Sequence, residues 1–339
     1  MSKKSTKIKE FIFEQLPNHS TDIVHLLYKT FNFSRQRAHW YISQEIKNGK
    51  IIKIGRTNST RYFILGGNNI EFSCKIKPDL AEDQIWSKYV KPMITDCSEN
   101  VKGIVAYGFT EMYNNAIDHS EGTTIYTKLK RNNKNLEITI MDNGIGIFQK
   151  IKNTLNLDSV RESILHLSKG KFTTDPSKHT GEGIFFTTRI FDKFSIFSSH
   201  MFYGFEKNNW FLSSEKNENF GQGTYIKLTL SLNSKKTPKK VMDKYADQEI
   251  GFTKTIVAVA LSAGPNDPHV SRSQAKRLLM GLEKFKTIIL DFKNVASVGQ
   301  AFVDEVFRVF KNEHPDIVIQ YCNANSEVKG MIIRRLSTK

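Results

Sequence analysis

Apolar and polar positions in the first 66 residues follow a pattern that predicts three helices and then two strands. Residues 5–16 carry apolar side chains at helical spacing and stop at Pro17, and Ser20 is the expected N-cap of a second helix. Ser34 is expected to cap a third helix, which ends at Asn48-Gly49. The β-rich runs KIIKIG and TRYFIL then predict a two-stranded ribbon.

The middle of the chain, residues 72–232, alternates predicted strands and helices. The run IVAYGFTEMYNNAIDHS predicts a buried helix on which Glu111, Asn115 and either Asp118 or His119 share one stripe. Polar groups on a buried face need partners. Mg²⁺ bridging nucleotide phosphates would suit the Asn115 carbonyl, and a water held for in-line attack would suit Glu111 as its base.

Three glycine-containing segments follow this helix. In LEITIMDNGIGI, an apolar strand ends at Asp142, whose carboxylate can accept a hydrogen bond from an exocyclic amine such as that of adenine. In HTGEGIFFTTRIFDKF, Gly181 and Gly183 precede a helix whose free N–H groups would suit phosphate. In GQGTYIKLTL, Thr224 either contacts adenine or simply favours a strand. Each segment alone is a weak signal, but their joint order is much harder to obtain by chance.

The last third of the chain predicts a separate small layer. Residues 233–250 are polar and charged, which is typical of a linker. Residues 251–335 then alternate strands and helices, with a helix expected from about Ser271, and this alternation favours a small α/β domain.

Composition and charge narrow the function classes. With 339 residues and 39% hydrophobic composition, the chain is long and apolar enough for two or three domains. Residues 1–66 hold 12 Lys or Arg against 4 Asp or Glu, which is half of the total net charge of +16. This asymmetry favours DNA binding by the N-terminal region.

Cysteine usage and hydropathy indicate the compartment. Cys74, Cys97 and Cys322 show no paired spacing, so neither a disulfide framework nor a cysteine zinc site is expected. No apolar run approaches the roughly 18 residues of a membrane span, and the basic N terminus lacks the apolar stretch of a signal peptide. We therefore expect a cytoplasmic protein with no membrane partner.

The four middle segments resemble, in order, the N, G1, G2 and G3 boxes of the Bergerat-fold ATPases, which include gyrase B subunits, histidine kinases and anti-sigma serine kinases. The similarity covers roughly residues 100–232 and is most specific in EMYNNAIDHS and DNGIGI. The resemblance implies ATP and Mg²⁺ as cofactors, Glu111 as general base and Asn115 as the metal ligand. It also implies nucleotide contacts at Asn115, Asp118, Asp142, Gly144, Gly146, Phe172, Lys178, Gly181, Gly183 and Thr224.

The resemblance further implies a mobile ATP lid over residues 148–180, in which Lys171, Lys178 and His179 are candidate γ-phosphate contacts. Two departures qualify it. The G2 segment T-G-E-G lacks one glycine and brings Glu182 close to the phosphates, so modest phosphate affinity is expected. Residues 72–102 leave no room for a two-helix segment carrying a phosphoacceptor histidine, which disfavours ordinary histidine kinase activity.

The two flanking regions resemble other modules. Residues 1–66 resemble a winged helix-turn-helix domain, in which the third helix enters the major groove. Trp40 is expected to pack or to lie at the helix edge, and a winged helix used for protein contacts is the alternative. The DNA contacts implied on the third helix and the wing are Arg35, Gln36, Arg37, His39, Arg56 and Arg61. TIILDFKNVASVGQAFVDEVFRVF resembles the STAS domains of anti-sigma-factor antagonists, with Gln300 at the phosphorylated serine and Ser297 as a weak alternative.

The expected fold is multi-domain α/β and α+β. It comprises a winged helix (1–66), a Bergerat α/β sandwich ATPase domain (72–232), a linker (233–250) and a small STAS-like α/β domain (251–335). The expected function is a DNA-binding regulator that binds ATP and hydrolyses it slowly, with nucleotide altering domain packing or dimerisation. An anti-sigma-type serine/threonine kinase acting on a STAS-domain partner and a non-catalytic ATP sensor are the alternatives, and a homodimer or a protein partner of the C-terminal domain fits each of them.

Overall fold

In the computed structural model, the described residues are 3–54, 60–64, 69–172, 180–207, 209–214, 222–247, 249–263 and 268–337. None of the helices in this described part is long and apolar enough to cross a membrane.

The N-terminal region consists of three helices followed by an antiparallel ribbon. Its elements are α1 (Lys3–Gln15), α2 (Ile23–Phe31), α3 (Arg35–Lys47), β1 (Ile51–Ile54) and β2 (Arg61–Ile64). Apolar side chains from the helices and the ribbon form a small core, in which Ile12, Leu27 and Ile42 are almost completely buried. This helix order matches the order expected from the sequence.

The two predicted helix caps in this region have different outcomes. Ser34 caps α3 as predicted, because its hydroxyl accepts the Arg37 N–H at 3.2 Å. The predicted cap at Ser20 is wrong: α2 begins three residues later, with Asp22 at the N-cap position. The Ser20 carbonyl instead accepts the Tyr62 N–H at 2.8 Å, which ties the turn to β2.

The middle of the chain forms a seven-stranded antiparallel sheet in the order β3-β4-β5-β9-β6-β7-β8. Its strands are β3 (Asn69–Lys75), β4 (Thr124–Arg131), β5 (Asn135–Asp142), β6 (Lys193–Ser198), β7 (Met201–Glu206), β8 (Asn209–Ser214) and β9 (Thr224–Ser231). Alternate residues of β4, β5 and β9 are buried, as expected for strands with one face packed on helices.

Helices pack on this sheet. They are α4 (Glu82–Ile85), which continues through a π turn and a 3-10 turn to Ile94, α5 (Glu99–His119), α6 (Ile147–Leu155), α7 (Val160–Lys169) and α8 (Gly183–Ile190). The 21-residue α5 packs against β5 and α8, with Ile104, Phe109 and Met112 almost completely buried. Gly108 permits the close approach to α8, because a Cβ there would overlap the ring of Phe191.

The C-terminal region contains a three-stranded parallel sheet in the order β12-β13-β14. Its strands are β12 (Lys254–Ala258), β13 (Thr287–Asp291) and β14 (Val318–Cys322). Its helices are α10 (Arg272–Leu279), α11 (Gln300–Asp304), α12 (Phe310–Glu313) and α13 (Ser326–Ser337), with a π turn joining α11 to α12. The helix expected from about Ser271 is present, capped by reciprocal bonds between Ser271 and Gln274, whereas α13 was not predicted.

The segment expected to be a linker is folded in its described part. It contains α9 (Pro238–Met242) and β10 (Ala246–Asp247), which pairs with β11 (Gly251–Phe252). Thr237 caps α9, and the Asn100 side chain of α5 donates to the carbonyls of Ser234 and Lys236. These bonds attach the segment to the middle domain despite its polar composition.

Candidate functional site

A cavity of about 270 Å³ lies between α5, α6 and α8 and the strands β5 and β9. This volume lies just below the usual range of small-molecule sites, about 300–1,000 Å³. The cavity collects residues from all four sequence motifs. The cavity is lined by Glu111, the expected general base, and by the predicted nucleotide contacts Asn115, Asp142, Phe172, Gly181, Gly183 and Thr224.

One stripe of α5 supplies the polar wall of the cavity. Glu111, Asn115 and His119 follow at intervals of four residues, so their side chains share the face that the cavity exposes. Asp118, the other predicted contact on this helix, is solvent-exposed and is not among the cavity-lining residues. The structure therefore selects His119 from the pair that the sequence left open.

Asp142 ends β5 in a fixed and buried position. Its side chain is 6% exposed, and its Oδ1 accepts the N–H of Gly144 at 2.9 Å and that of Thr224 at 3.2 Å. The Thr224 hydroxyl in turn accepts the Ile147 N–H at 3.0 Å. Burial raises the pKa of Asp142, while the hydrogen bonds from Gly144 and Thr224 act in the opposite direction. The network joins the ends of two strands to the start of α6.

Glycines allow close backbone contacts around this carboxylate. A Cβ at Gly144 would overlap the Ser120 carbonyl, so the Asp142 turn lies directly against the C-terminal end of α5. Gly146 has φ +87° and lies against Ser198. These two glycines shape the wall behind the cavity and are not among the residues that line it.

The opposite end of the cavity is formed by the turn before α8. A Cβ at Gly183 would overlap the Glu111 carboxylate, so the helix start and the proposed base are in direct contact. Gly181 has φ +73° and lies against the backbone of Phe172. Burial raises the pKa of Glu182, and the charge of Lys171 opposes that shift. Lys178 and His179 lie outside the described residues.

Helix α7 and the residues after it lie between the cavity and the C-terminal domain. Leu167 and Phe172 line the cavity. On the other side, Arg161 Nε donates to the Ala263 carbonyl at 2.9 Å, and the Thr255 hydroxyl donates to the Lys169 carbonyl at 2.6 Å. Within 148–180, the expected mobile lid, the described residues thus include a helix that lines the cavity and is hydrogen-bonded to the C-terminal domain.

Lys171 also takes part in this contact. Its Nζ donates to the Lys284 carbonyl at 3.0 Å and lies over the rings of Phe252 and Phe285. Because its charge also acts on Glu182, the assignment of Lys171 as a γ-phosphate contact stays a prediction. The aromatic ring of Phe252 also packs on Phe185 of α8, with ring centroids 4.6 Å apart.

The predicted DNA contacts divide into two groups. On α3, the side chains exposed to solvent include Arg35, Gln36, Arg37 and His39. Partial desolvation of the His39 ring, together with the charges of Arg35 and Lys53, lowers the pKa of His39. Trp40 is 55% exposed and its ring lies edge-on to that of Tyr41, which fits the expected position at the helix edge and not full packing in the core. On the ribbon, Arg61 forms an ion pair with Glu71 of β3, which turns it toward the middle domain. Arg56 lies outside the described residues.

The sequence missed one charged residue of the cavity, Lys150 on α6. Its Nζ donates to the His119 carbonyl at 2.8 Å and pairs with the Glu121 carboxylate at 3.0 Å. Ile147 and Ile151 of the same helix also line the cavity. Spacings of three and four residues place all three side chains on one helix face, a signal that was available in the sequence.

The residues present fit a nucleotide better than a free metal ion. Among the described residues, no group of three or more His, Cys, Asp or Glu side chains is placed to hold a metal. Mg²⁺ commonly binds through one or two protein oxygens together with substrate phosphates. Asn115 and Glu111 offer such oxygens on one wall, and the buried Asp142 offers an acceptor for a base amine.

Comparison with protein families agrees with this geometry. Residues 105–234 match the family of histidine kinase-, DNA gyrase B- and HSP90-like ATPases, and residues 274–329 match a STAS-like domain of unknown function. A search of the curated proteins found no match. The chain therefore contains an ATPase-type domain, which supports ATP binding, and a STAS-like domain, both recognised from the sequence.

Proposed function

We propose that the protein is an ATP-binding regulator that hydrolyses ATP slowly, binds DNA through its N-terminal region, and changes its domain packing with nucleotide state. The observation that carries the proposal is the cavity itself. It brings the Glu111–Asn115 stripe, the buried Asp142–Thr224 network and the Gly183 turn to one space within residues matching the ATPase family.

The two ends of the cavity suggest different tasks. At the Asp142 end, the buried carboxylate accepts a hydrogen bond from the adenine amine, which fixes the base. At the Gly183 end, the free N–H groups that begin α8 suit the terminal phosphates, and Glu111 removes a proton from the attacking water. Asn115 would hold Mg²⁺ through its carbonyl oxygen, and the bound ion would neutralise part of the phosphate charge.

Helix α7 supports the coupling of nucleotide to domain packing. It contributes Leu167 to the cavity and buries Lys169 against the C-terminal domain. A shift of this helix would therefore change both the cavity wall and the contact with the C-terminal domain. Nucleotide can drive such a shift only as far as it prefers one arrangement over the other. The proposal therefore requires different nucleotide affinities for the docked and undocked C-terminal domain.

The DNA-binding part of the proposal rests on charge and exposure. Residues 1–66 carry half of the net charge of the chain, and the exposed start of α3 presents Arg35 and Arg37. Phosphate contacts by such side chains release counterions, so DNA affinity should fall steeply with salt.

Three variants on the cavity test the nucleotide assignment. Glu111→Ala should bind ATP like the wild type but release little phosphate, because the general base is lost while the end of the cavity that holds adenine is intact. Asp142→Asn should lose binding. Asp118→Asn, a change on the same helix outside the cavity, should retain both properties. Equal turnover by the wild type and Glu111→Ala would reject Glu111 as the base.

A second candidate function is a serine/threonine kinase acting on a STAS-domain partner. The specific observation in its favour is that the chain carries a STAS-like domain packed against α7, beside the cavity. Gln300, at the position of the phosphorylated serine, offers no hydroxyl for self-modification. With ATP labelled on the γ-phosphate, label in solution favours the ATPase, label on a partner protein favours the kinase, and binding without turnover favours a non-catalytic sensor.

A further inference from the structure

We propose that Lys150 binds the phosphate attached to the ribose of the nucleotide, and that Glu121 is the carboxylate this phosphate displaces. The inference rests on the proposed binding of ATP in the cavity. It assigns a role to the one Lys or Arg side chain found among the cavity-lining residues of the described chain.

The position of Lys150 along the cavity follows from α5. Glu111 and His119 are eight residues apart on this helix, a rise of about 12 Å. The Gly183 turn contacts Glu111 at one end, and the Asp142 turn contacts Ser120 at the other. Lys150 donates to the His119 carbonyl, so its ammonium lies at the Asp142 end. A cation there is close to the nucleoside and far from the terminal phosphate.

The charge balance of the cavity favours such a cation. Its lining includes the carboxylates of Glu111, Asp142 and Glu182 against the single ammonium of Lys150. A nucleotide adds further negative charge at every phosphate. A lysine ammonium next to a phosphate oxygen forms a charge-assisted hydrogen bond, which is stronger than a neutral one.

Lys150 has the donors for this contact. Its ammonium carries three N–H groups, of which one bonds the His119 carbonyl and one faces Glu121 at 3.0 Å. The Glu121 side chain is 60% exposed, whereas that of Lys150 is 18% exposed. An ion pair with such an exposed partner contributes little, so the pair is easily exchanged for a phosphate. The bond to His119 keeps the ammonium in place during this exchange.

The two members of the pair should therefore act in opposite directions. Lys150→Met removes the cation but keeps the apolar stem, and should weaken AMP, ADP and ATP alike, each by about tenfold or ~1.4 kcal/mol. Glu121→Gln removes a carboxylate that competes with the phosphate, and should strengthen all three. A purely structural ion pair predicts the same sign for both variants, since either change breaks it.

The experiment is calorimetric titration of the full-length chain with adenosine, AMP, ADP and ATP in the presence of Mg²⁺. Wild type, Lys150→Met, Lys150→Arg, Glu121→Gln and the control Lys152→Met are compared; Lys152 lies on the same helix but does not line the cavity. We expect AMP, ADP and ATP to bind more weakly to Lys150→Met, with partial recovery in Lys150→Arg, and more tightly to Glu121→Gln. Adenosine binding should be unchanged in every variant.

Several results would overturn the inference. Unchanged affinities in Lys150→Met would show that the side chain does not contact the nucleotide. Weaker binding of ATP alone would move the contact to the terminal phosphate, and an equal loss for adenosine would show a structural effect. Weaker nucleotide binding to Glu121→Gln would show that Glu121 does not compete with the phosphate for Lys150. This result can be obtained even if Lys150→Met does not fold. If the wild type binds no nucleotide, the proposed function fails as well, which separates the two failures.

Discussion

Lys169 is the buried cation between α7 and the C-terminal domain, and replacing it with methionine tests how this contact responds to pH. Only 2% of the residue is exposed, and its Nζ donates to the carbonyls of Met280 at 2.9 Å and Arg277 at 3.2 Å. Burial lowers the pKa of Lys169 to about 7, against the smaller opposite effect of Glu283.

The sign of the pH effect follows from this lowered pKa. In the unfolded chain the lysine pKa is about 10.4. Between about pH 7 and pH 10 the unfolded chain therefore binds a proton that the folded chain has released, so the free energy of unfolding rises with pH. Below pH 7 the lysine is protonated in both the folded and the unfolded chain, so folding carries the full cost of burying the charged ammonium. For these two pKa values, proton linkage gives an increase of about 2 kcal/mol between pH 7 and pH 9.

Urea unfolding of the full-length chain at pH 7 and pH 9 measures this increase. The wild type and the control Lys152→Met should each gain about 2 kcal/mol more than Lys169→Met over this interval, because only the last variant lacks the buried amine. An equal pH-dependent gain in all three proteins would refute the reasoning, since Lys169 would then titrate as it does in water.

Three further outcomes are expected. Gly183→Ala should reduce phosphate release at least about tenfold with a smaller change in ATP affinity, because its Cβ would displace the Glu111 carboxylate; unchanged release would contradict that contact. Phe252→Ala should lower the free energy of unfolding by about 3–5 kcal/mol in urea titrations, and a loss below about 1 kcal/mol would mean that the aromatic contact is not formed. Replacing Arg35 and Arg37 by alanine should reduce the slope of log affinity for DNA against log salt by about 2, and an unchanged slope would argue against phosphate contacts by α3.

Features that depend on neighbouring residues were predictable from the sequence. Ser34 caps α3 and Ser271 caps α10 because the donors that satisfy them lie three residues further along the chain. Ser20 has the same local signal, but its carbonyl bonds Tyr62, more than 40 residues away, and the helix begins later. Local capping rules do not include such partners.

The candidate site shows the same division. Helical spacing placed Glu111 and Asn115 on one stripe. It left open whether Asp118 or His119 continues the stripe, because spacings of three and of four residues both fall on the same helix face. The packing of α5 against the Asp142 turn selects His119. The spacing of Lys150 from Ile147 and Ile151 indicates its helix face, but its bond to the His119 carbonyl joins distant segments and could not be predicted from periodicity.

The contact between domains was the least predictable feature. Residues 148–180 resembled a solvated lid, yet Lys169 and Lys171 donate to carbonyls of the C-terminal domain. Similarly, the resemblance to a winged helix implied a DNA contact for Arg61, whereas Glu71 of β3 pairs with it. A lysine or arginine in a sequence carries no sign of whether its partner is water, a phosphate or another domain.

Titration of the wild type and Asp142→Asn with ATP, with and without Mg²⁺, tests the central claim most directly. We expect saturable binding of one ATP per wild-type chain, tighter with Mg²⁺, and loss of that binding in Asp142→Asn. The amide has only one acceptor oxygen, so it cannot accept the adenine amine without disturbing the bonds from Gly144 and Thr224. Absence of binding by the wild type, or equal binding by both proteins, would contradict the assignment of this cavity to a purine nucleotide.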